Sequence, residues 1–412
     1  MAVRSICEAG KAVSPEDNGS LENPKLIKSK KRFWTQIVSL TDCESIRKYW
    51  LDLARQAIEP NPFYEPDYLT ALAKHVRVKE QHFLVLVWAN NCLNELVGLF
   101  PITRKGLKNG FPVAVTCCSF DSFIGVCTPL ISPCAPEEIW GCFFEAVKAH
   151  PKFPDIIYIP EFYINGATGQ ALKTHINAAK VIKHSIKEFE RAIALPHTDY
   201  KTYSDAWSKK KARNIRSREK KLNKLGKLSF EIIDQSHPNF RDAFVAVLAL
   251  EKAGWKGKKG TALASHKNTK NFAEFAFNSS IIAPCTHISL MRLDERIIAG
   301  QLNLISQKTA FFIKSAYDEE RANFGPGIIL YKWVLEQMLD QGAYVELDSC
   351  ADAHHHLEDI WLERKQVQEI VLAPATKTHK RKMKRLILWR RFHQKLKDVF
   401  GQHPVQTVGL RR

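Results

Sequence analysis

The chain has 412 residues, 45% of them hydrophobic, enough to bury a full core and to make two domains the natural expectation. No apolar run approaches the roughly 18 residues of a membrane-spanning helix, and the N-terminus shows no apolar segment of the secretory type. The formal net charge of +18 is local: residues 209–227 and 377–397 each hold ten Lys/Arg, with Glu219 the one acid between them, and the rest is close to neutral. That excludes a protein built to coat nucleic acid, whose charge would cover the whole binding surface, and points to a confined polyanion site for a phosphorylated ligand, acidic lipid or RNA. Ten cysteines show no Cys-x-x-Cys spacing, so reduced thiols in a cytoplasmic protein are expected.

In chain order, residues 1–31 mix Gly, Ser, Pro, Asn and Lys without period and read as a flexible tail. A helical pattern is drawn over Phe33–Ile58 (Ile46, Tyr49, Trp50, Leu53), with Thr41-Asp42 and Glu44 at its start. Asn61-Pro62-Phe63-Tyr64-Glu65-Pro66 is a rigid loop, and a helix begins over Tyr68–Leu72. Phe83–Trp88 and Glu95–Ile102, around Asn90-Asn91, read as a buried hairpin; Val113–Cys118 and Tyr158-Ile159 add strands, and Ile139–Val147 a helix. Residues 281–316 repeat the theme, with His287–Leu293 and Ile297–Leu304 joined by Asp294-Glu295, so a duplicated α/β module is expected. The boundaries drawn are 32–200 for an N-terminal module, 201–227 for a basic linker helix, 228–373 for a C-terminal module and 374–412 for a basic amphipathic helix and tail.

Within the linker, Ala212, Ile215, Leu222 and Leu225 fit a helix stopped by Gly226, and charge alone favours a solvated connector. After an amphipathic helix over Phe240–Lys252, the loop Gly254–Leu263 combines glycines, Trp255, Lys256 and Thr261, a set that suits an anionic group with an aromatic contact. It lacks the Gly-Lys-[Ser/Thr] of a P-loop, so it is not read as an ATP site. Phe311–Tyr317 then reads as a strand, Asn323-Phe324-Gly325-Pro326-Gly327 as a tight turn, Ile328–Leu339 as a helix ended by Gly342, and Ala343–Leu347 as a returning strand. Such a βαβ-like unit presents free backbone N–H groups at the helix N-terminus, where a phosphate can bind.

Four pieces in order, Leu250–Gly257 with Gly260–Leu263, Lys209–Gly226, Ala316–Glu319 with Phe324–Gly327, and Leu347–Ala351 with Trp361 and Arg364-Lys365, resemble the GNAT acetyltransferase-like family of the cellulose-biosynthesis type, related to Fem-type aminoacyltransferases. Asn61–Pro66 also resembles that family's start, and the resemblance covers most of 60–373. It implies an α/β fold of tandem GNAT-like modules with mixed sheets. It also implies acyl transfer from a thioester donor, acyl-CoA with acetyl-CoA foremost, to a small-molecule or polymer-linked amine, without a metal. Aminoacyl-tRNA and acyl carrier protein are the alternative donors. A standard pyrophosphate loop would place a basic residue at Ala322; Arg321 stands one residue early, which puts its charge assist in doubt and leaves the backbone of Asn323, Gly325 and Gly327.

The chemistry needs a positioned amine, a proton acceptor and a stabilised oxyanion. Asp348 is the first candidate base, with capping of the next turn as its structural reading, and Tyr317 is a candidate donor to the leaving thiolate or oxyanion. Cys350 and His354-His355-His356 raise an acyl-enzyme nucleophile or a metal site with Asp348. Direct transfer, and the inability of three consecutive histidines to face one ion, argue against both, so Cys350 and His355 are placed at the edge of the acceptor pocket. After Pro374, Leu388, Phe392, Leu396 and Val399-Phe400 mark one apolar face of a basic helix that suits either an anionic membrane surface or docking on its own domain; the narrow face favours docking. A reading of a different class is a catalytically silent adaptor that binds RNA or anionic membrane through the two basic segments.

Overall fold

The structure, a computed structural model, describes residues 27–28, 32–90, 93–119, 122–278 and 285–399. Runs of Val, Ile, Leu and aromatic residues form strands buried on both faces, as in Phe83–Trp88 and Leu96–Lys105. They assemble into one mixed sheet of 14 strands with helices against it. Two arms repeat one plan. In the first, Phe83–Trp88, Leu96–Lys105 and Val115–Cys117 run antiparallel, and the last is parallel to Ile157–Tyr163. In the second, Cys285–Leu293, Arg296–Ser306 and Thr309–Tyr317 do the same, and the last is parallel to Glu346–Asp348. The parallel crossovers carry the helices Pro136–Ala149 and Pro326–Gln341 respectively.

The arms meet through exchanged strands. Val181–Ala194 and Glu363–Pro374 pair antiparallel along their length at the centre. The former also pairs with Glu346–Asp348 of the second arm, and the latter with Ile157–Tyr163 of the first. One sheet therefore crosses from residues before 200 to residues after 346 without a break. Side chains reinforce the join: Gln307 Nε2 donates to the carbonyls of Ala54 and Ala57 at 2.9 Å each, and the Phe63 and Phe311 rings meet at 6.1 Å.

Several expectations shift. Trp34–Ser39 is a strand, because it pairs in register with Phe83–Trp88, and the helix starts only at Arg47. The basic helix spans Lys209–Leu222 and stops before Gly226; it is a packed element, with Ile215 and Leu222 buried and Glu219 bonded to Lys332 Nζ at 3.2 Å. Val181–Ala194 is a strand that the sequence pattern does not announce, since polar residues interrupt most of its length. The tail read over residues 1–31 lies outside the described residues except for Ile27–Lys28, which pair with Trp34 and Thr35. Among the described residues no helix is long and apolar enough to cross a membrane.

Glu65 sits at the seam, where Ser306 Oγ donates to its Oε1 at 2.6 Å. Burial pushes its carboxyl up from 4.5 to about 7, and the Ser306 hydrogen bond opposes the rise. A group whose proton is held more tightly in the folded state stabilises fully below the unfolded value and loses that contribution as pH rises through the folded one. Relative to Glu65→Gln, the wild type should therefore lose about 3 kcal/mol of unfolding free energy between pH 4.5 and 8, read as a difference in urea midpoints.

Candidate active site

Strand Thr309–Tyr317 faces its neighbour in register except at one place: Leu302 opposes Lys314 and Asn303 opposes Phe312, leaving Ile313 as a bulge. The extra residue re-aims the side chains on either side of it. Phe312 packs on the side of helix Pro326–Gln341, against Tyr331 at 5.8 Å and Trp361 at 4.7 Å. Beyond the bulge Ser315 and Tyr317 line a cavity of about 320 Å³ on that same side. Lys314 goes the other way, its ammonium 5.5 Å from the Phe123 ring.

The start of helix Pro326–Gln341 forms one wall. Gly325 is left-handed (φ 61°, ψ 53°), which a side chain would strain, and no side chain caps the helix. The Gly325 N–H donates to the Ala322 carbonyl at 2.9 Å and proline has no N–H, so the donors left without a partner among the described residues belong to Gly327 and Ile328. Both line the cavity. Two free N–H groups at the positive end of a 16-residue helix make an anion site.

The facing wall is the basic helix. Lys211, Asn214, Ile215 and Arg218 fall at i, i+3, i+4 and i+7 and present one face to the cavity. A Cβ on Gly325 would lie 2.7 Å from Arg218 Nη1, so the guanidinium rests on the turn itself. Arg218 makes no ion pair among the described residues, whereas Lys211 is bonded to Asp359 at 2.6 Å. Arg321 is engaged elsewhere, its guanidinium paired with Asp318. The charge beside the turn thus comes from the basic helix, about a hundred residues earlier. Asn323 is exposed on the preceding turn and does not line the cavity.

Ser315, the buried Tyr331 and the exposed edge residue His356 complete the lining. Burial pushes the Tyr331 hydroxyl up to about 12, so it stays protonated. His356 packs against His355 with ring centres 3.9 Å apart. His356 is exposed on its outer side, and partial desolvation, with Lys211 adding to it, holds it below its ordinary 6.5; desolvation and the His356 charge push the half-buried His355 down to about 4. Of the histidines, His356 reaches the cavity, and His355 supports it.

The loop Gly254–Leu263 is tied to the end of the cavity strand. Lys256 Nζ donates to the Ser315 carbonyl at 2.7 Å, Lys258 Nζ to Glu319 at 2.8 Å, and the Trp255 N–H also reaches Glu319. Gly257 is required there, since a Cβ would fall 1.7 Å from the Lys252 carbonyl oxygen. Trp255 is left half exposed, and Thr261 Oγ1 closes the loop on the Lys256 carbonyl at 3.2 Å.

Asp348 and Cys350 lie apart from the cavity lining. Asp348 is fully buried; its Oδ1 accepts the Cys350 N–H at 2.9 Å and its Oδ2 accepts the Tyr163 hydroxyl, the geometry of a turn-capping group. The Cys350 thiol is pushed well above 9 by burial and by the Asp348 charge, so it is a poor nucleophile. The helix Pro136–Ala149 occupies the matching place in the first arm. It too follows a left-handed residue, Ala135 (φ 56°), and opens with proline, but Glu137 and Glu138 fill its first turn. Acidic side chains there oppose a bound anion, an obstacle absent from the first turn of Pro326–Gln341.

The sequence model of the acetyltransferase (GNAT) domain matches residues 209–356, which takes in both walls of the cavity. A solved structure of FemX superposes on 79% of this chain and 95% of its own at TM-score 0.52 and 9% identity, a likeness of fold. L-PGS from Bacillus licheniformis (10% identity, 84% of this chain and 96% of that one, TM-score 0.48) aligns more loosely. So does a tandem GNAT protein from the clavulanic acid biosynthesis pathway (11%, 83% and 99%, TM-score 0.41). No curated protein matches the sequence. Residues 209–356 carry a GNAT domain on a mixed α/β fold of the kind seen in FemX, and the protein is an acyltransferase.

Proposed function

We propose that the protein transfers an acyl group, acetyl foremost, from a CoA thioester to an amine. The observation that carries this reading is the anion site at Gly327 and Ile328, flanked by Arg218 and opening onto a cavity that follows strand Thr309–Tyr317 inward. A diphosphate would take the two N–H groups and the guanidinium, and its thioester arm would extend toward Ser315 and His356.

There the amine nitrogen attacks the thioester carbonyl carbon, the C–S bond breaks and the sulfur leaves as thiolate. His356, whose imidazole is held below its ordinary 6.5 by partial desolvation and by Lys211, takes the proton released by the amine. Tyr317 or Tyr331 donates to the oxygen or sulfur on which negative charge develops. Asp348 holds the end of strand Ile157–Tyr163 and the turn at Cys350 in place, and Trp255 and Lys256 stand on the loop that Lys256 ties to Ser315. The acceptor is a small-molecule or polymer-linked amine in the cytoplasm, a compartment in keeping with the free thiols of the described cysteines. An aminoacyl-tRNA or acyl carrier protein donor is the second reading. It is favoured by the outer face of the basic helix, where Lys209, Lys210, Arg213, Arg216 and Lys220 are exposed.

Thermal unfolding separates these donors. CoA or acetyl-CoA at a hundredfold excess over its dissociation constant should add about 2.7 kcal/mol of stability, and ATP should add far less. A shift with carrier protein or charged tRNA alone would replace the CoA reading by the second one. The pH profile tests the base: with His356 held below 6.5, kcat/KM should stay level down to pH 6.5 and fall only beneath it. His356→Ala should lower the plateau by roughly 10²-fold or more and remove that acid limb.

A further inference from the structure

The helix Lys377–Val399 docks by a face other than the one its sequence marks as apolar. Met383 and Leu386 are buried against the first arm, and the Trp389 ring lies 5.4 Å from Phe111. Arg390 donates to Glu369 at 2.7 Å and to the Tyr158 hydroxyl at 3.0 Å. Positions 383, 386 and 390 form one stripe, so Leu388 and Phe392 turn outward, 55% and 61% exposed. Arg381, Lys384, Arg385 and Arg391 are exposed around them, and no acid occurs between Lys377 and Lys397. The side chains of residues 393–399, Leu396 and Val399 among them, and Phe400 lie outside the described residues.

A second element packs beside the helix. Trp389 Cζ2 is 3.8 Å from where a Cβ on Gly110 would stand, which fixes the turn Leu107–Asn109 beside the helix. Leu107 at that turn is 82% exposed, the highest value among the large apolar side chains described. Arg104, Lys105, Lys108 and Lys152 line a shallow groove of about 560 Å³ beneath it, in which Glu80 is the one acid.

We propose that this surface docks the protein on an anionic lipid bilayer, with Leu107, Leu388 and Phe392 entering the interface and the lysines and arginines meeting acidic headgroups. The charge has one sign, and outward leucines between basic residues are the pattern of an interfacial helix. A single-stranded nucleic acid would instead call for aromatic platforms on which bases stack, and two of these three side chains are aliphatic. Docking of this kind is independent of the identity of the acyl donor.

Co-sedimentation of the full chain with vesicles tests it. Binding is expected to vesicles of phosphatidylcholine with about one quarter phosphatidylserine and not to phosphatidylcholine alone, weakening as salt rises. Leu388→Glu with Phe392→Glu should reduce the partition coefficient by roughly tenfold or more, Leu107→Glu should weaken it independently, and Arg381→Glu with Arg385→Glu should act through charge. All these side chains are exposed, so unchanged thermal unfolding would show that the variants fold. No binding to the anionic vesicles at low salt would overturn the proposal, as would binding that survives Leu388→Glu with Phe392→Glu. Single-stranded RNA binding that is lost in that same double variant would also overturn it.

Discussion

Arg191 is the constraint on which the rest of the structure depends. Its guanidinium is fully buried in the exchanged strand Val181–Ala194, and it donates to the Ala351 carbonyl at 3.1 Å, the Gly125 carbonyl at 2.9 Å, the Tyr163 hydroxyl at 3.0 Å and Glu161 at 2.8 Å. Tyr163 passes its own proton toward Asp348. One cation therefore ties the end of Ile157–Tyr163 and the loop at Gly125 in the first arm to the turn after Asp348 in the second, with Glu161 supplying a carboxylate partner. Removing one member would leave the others charged and unpaired in a dry interior, which is far costlier than the pair is stabilising. The same contacts explain why Asp348, at the end of a second-arm strand, serves the architecture.

With the strand ends pinned, two local devices create the site. The bulge at Ile313 turns Ser315 and Tyr317 toward the helix side and sends Lys314 to the opposite face. The left-handed Gly325 starts the helix Pro326–Gln341 without consuming the N–H groups of Gly327 and Ile328. The basic helix then brings a guanidinium to that turn. In the first arm the corresponding helix begins with glutamates, so two copies of one plan differ by the charge at a helix N-terminus.

Much of this was legible in sequence because local signals and tertiary structure agreed there. Gly325-Pro326 and Gly342 bound a helix because left-handed glycine and first-turn proline have few other uses. The two hairpins announced the duplicated plan. Other features depended on contacts that no local window contains. Val181–Ala194 is half polar because residues 181–190 stay partly exposed and only Arg191–Ala194 are buried, and strand exchange leaves no mark on spacing. Arg218 looked like one charge among ten in a connector until packing set Ile215 and Leu222 inward. His356 and His355 were equivalent as letters; the turn at His354 (φ 66°) decides which one reaches the cavity. In the last helix, apolar periodicity named Leu388 and Phe392, while docking selected Met383, Leu386 and Trp389, because shape and hydrogen bonds outweighed the pattern.

The central claim is that a donor diphosphate binds where the second arm's helix begins. The most direct measurement is a crystal structure of the protein with CoA. The account predicts diphosphate oxygens within hydrogen-bonding distance of the Gly327 and Ile328 N–H groups and of the Arg218 guanidinium, with the sulfur lying toward Ser315 and His356. A diphosphate seated at Pro136–Glu138 of the first arm, or outside this cavity altogether, would contradict it.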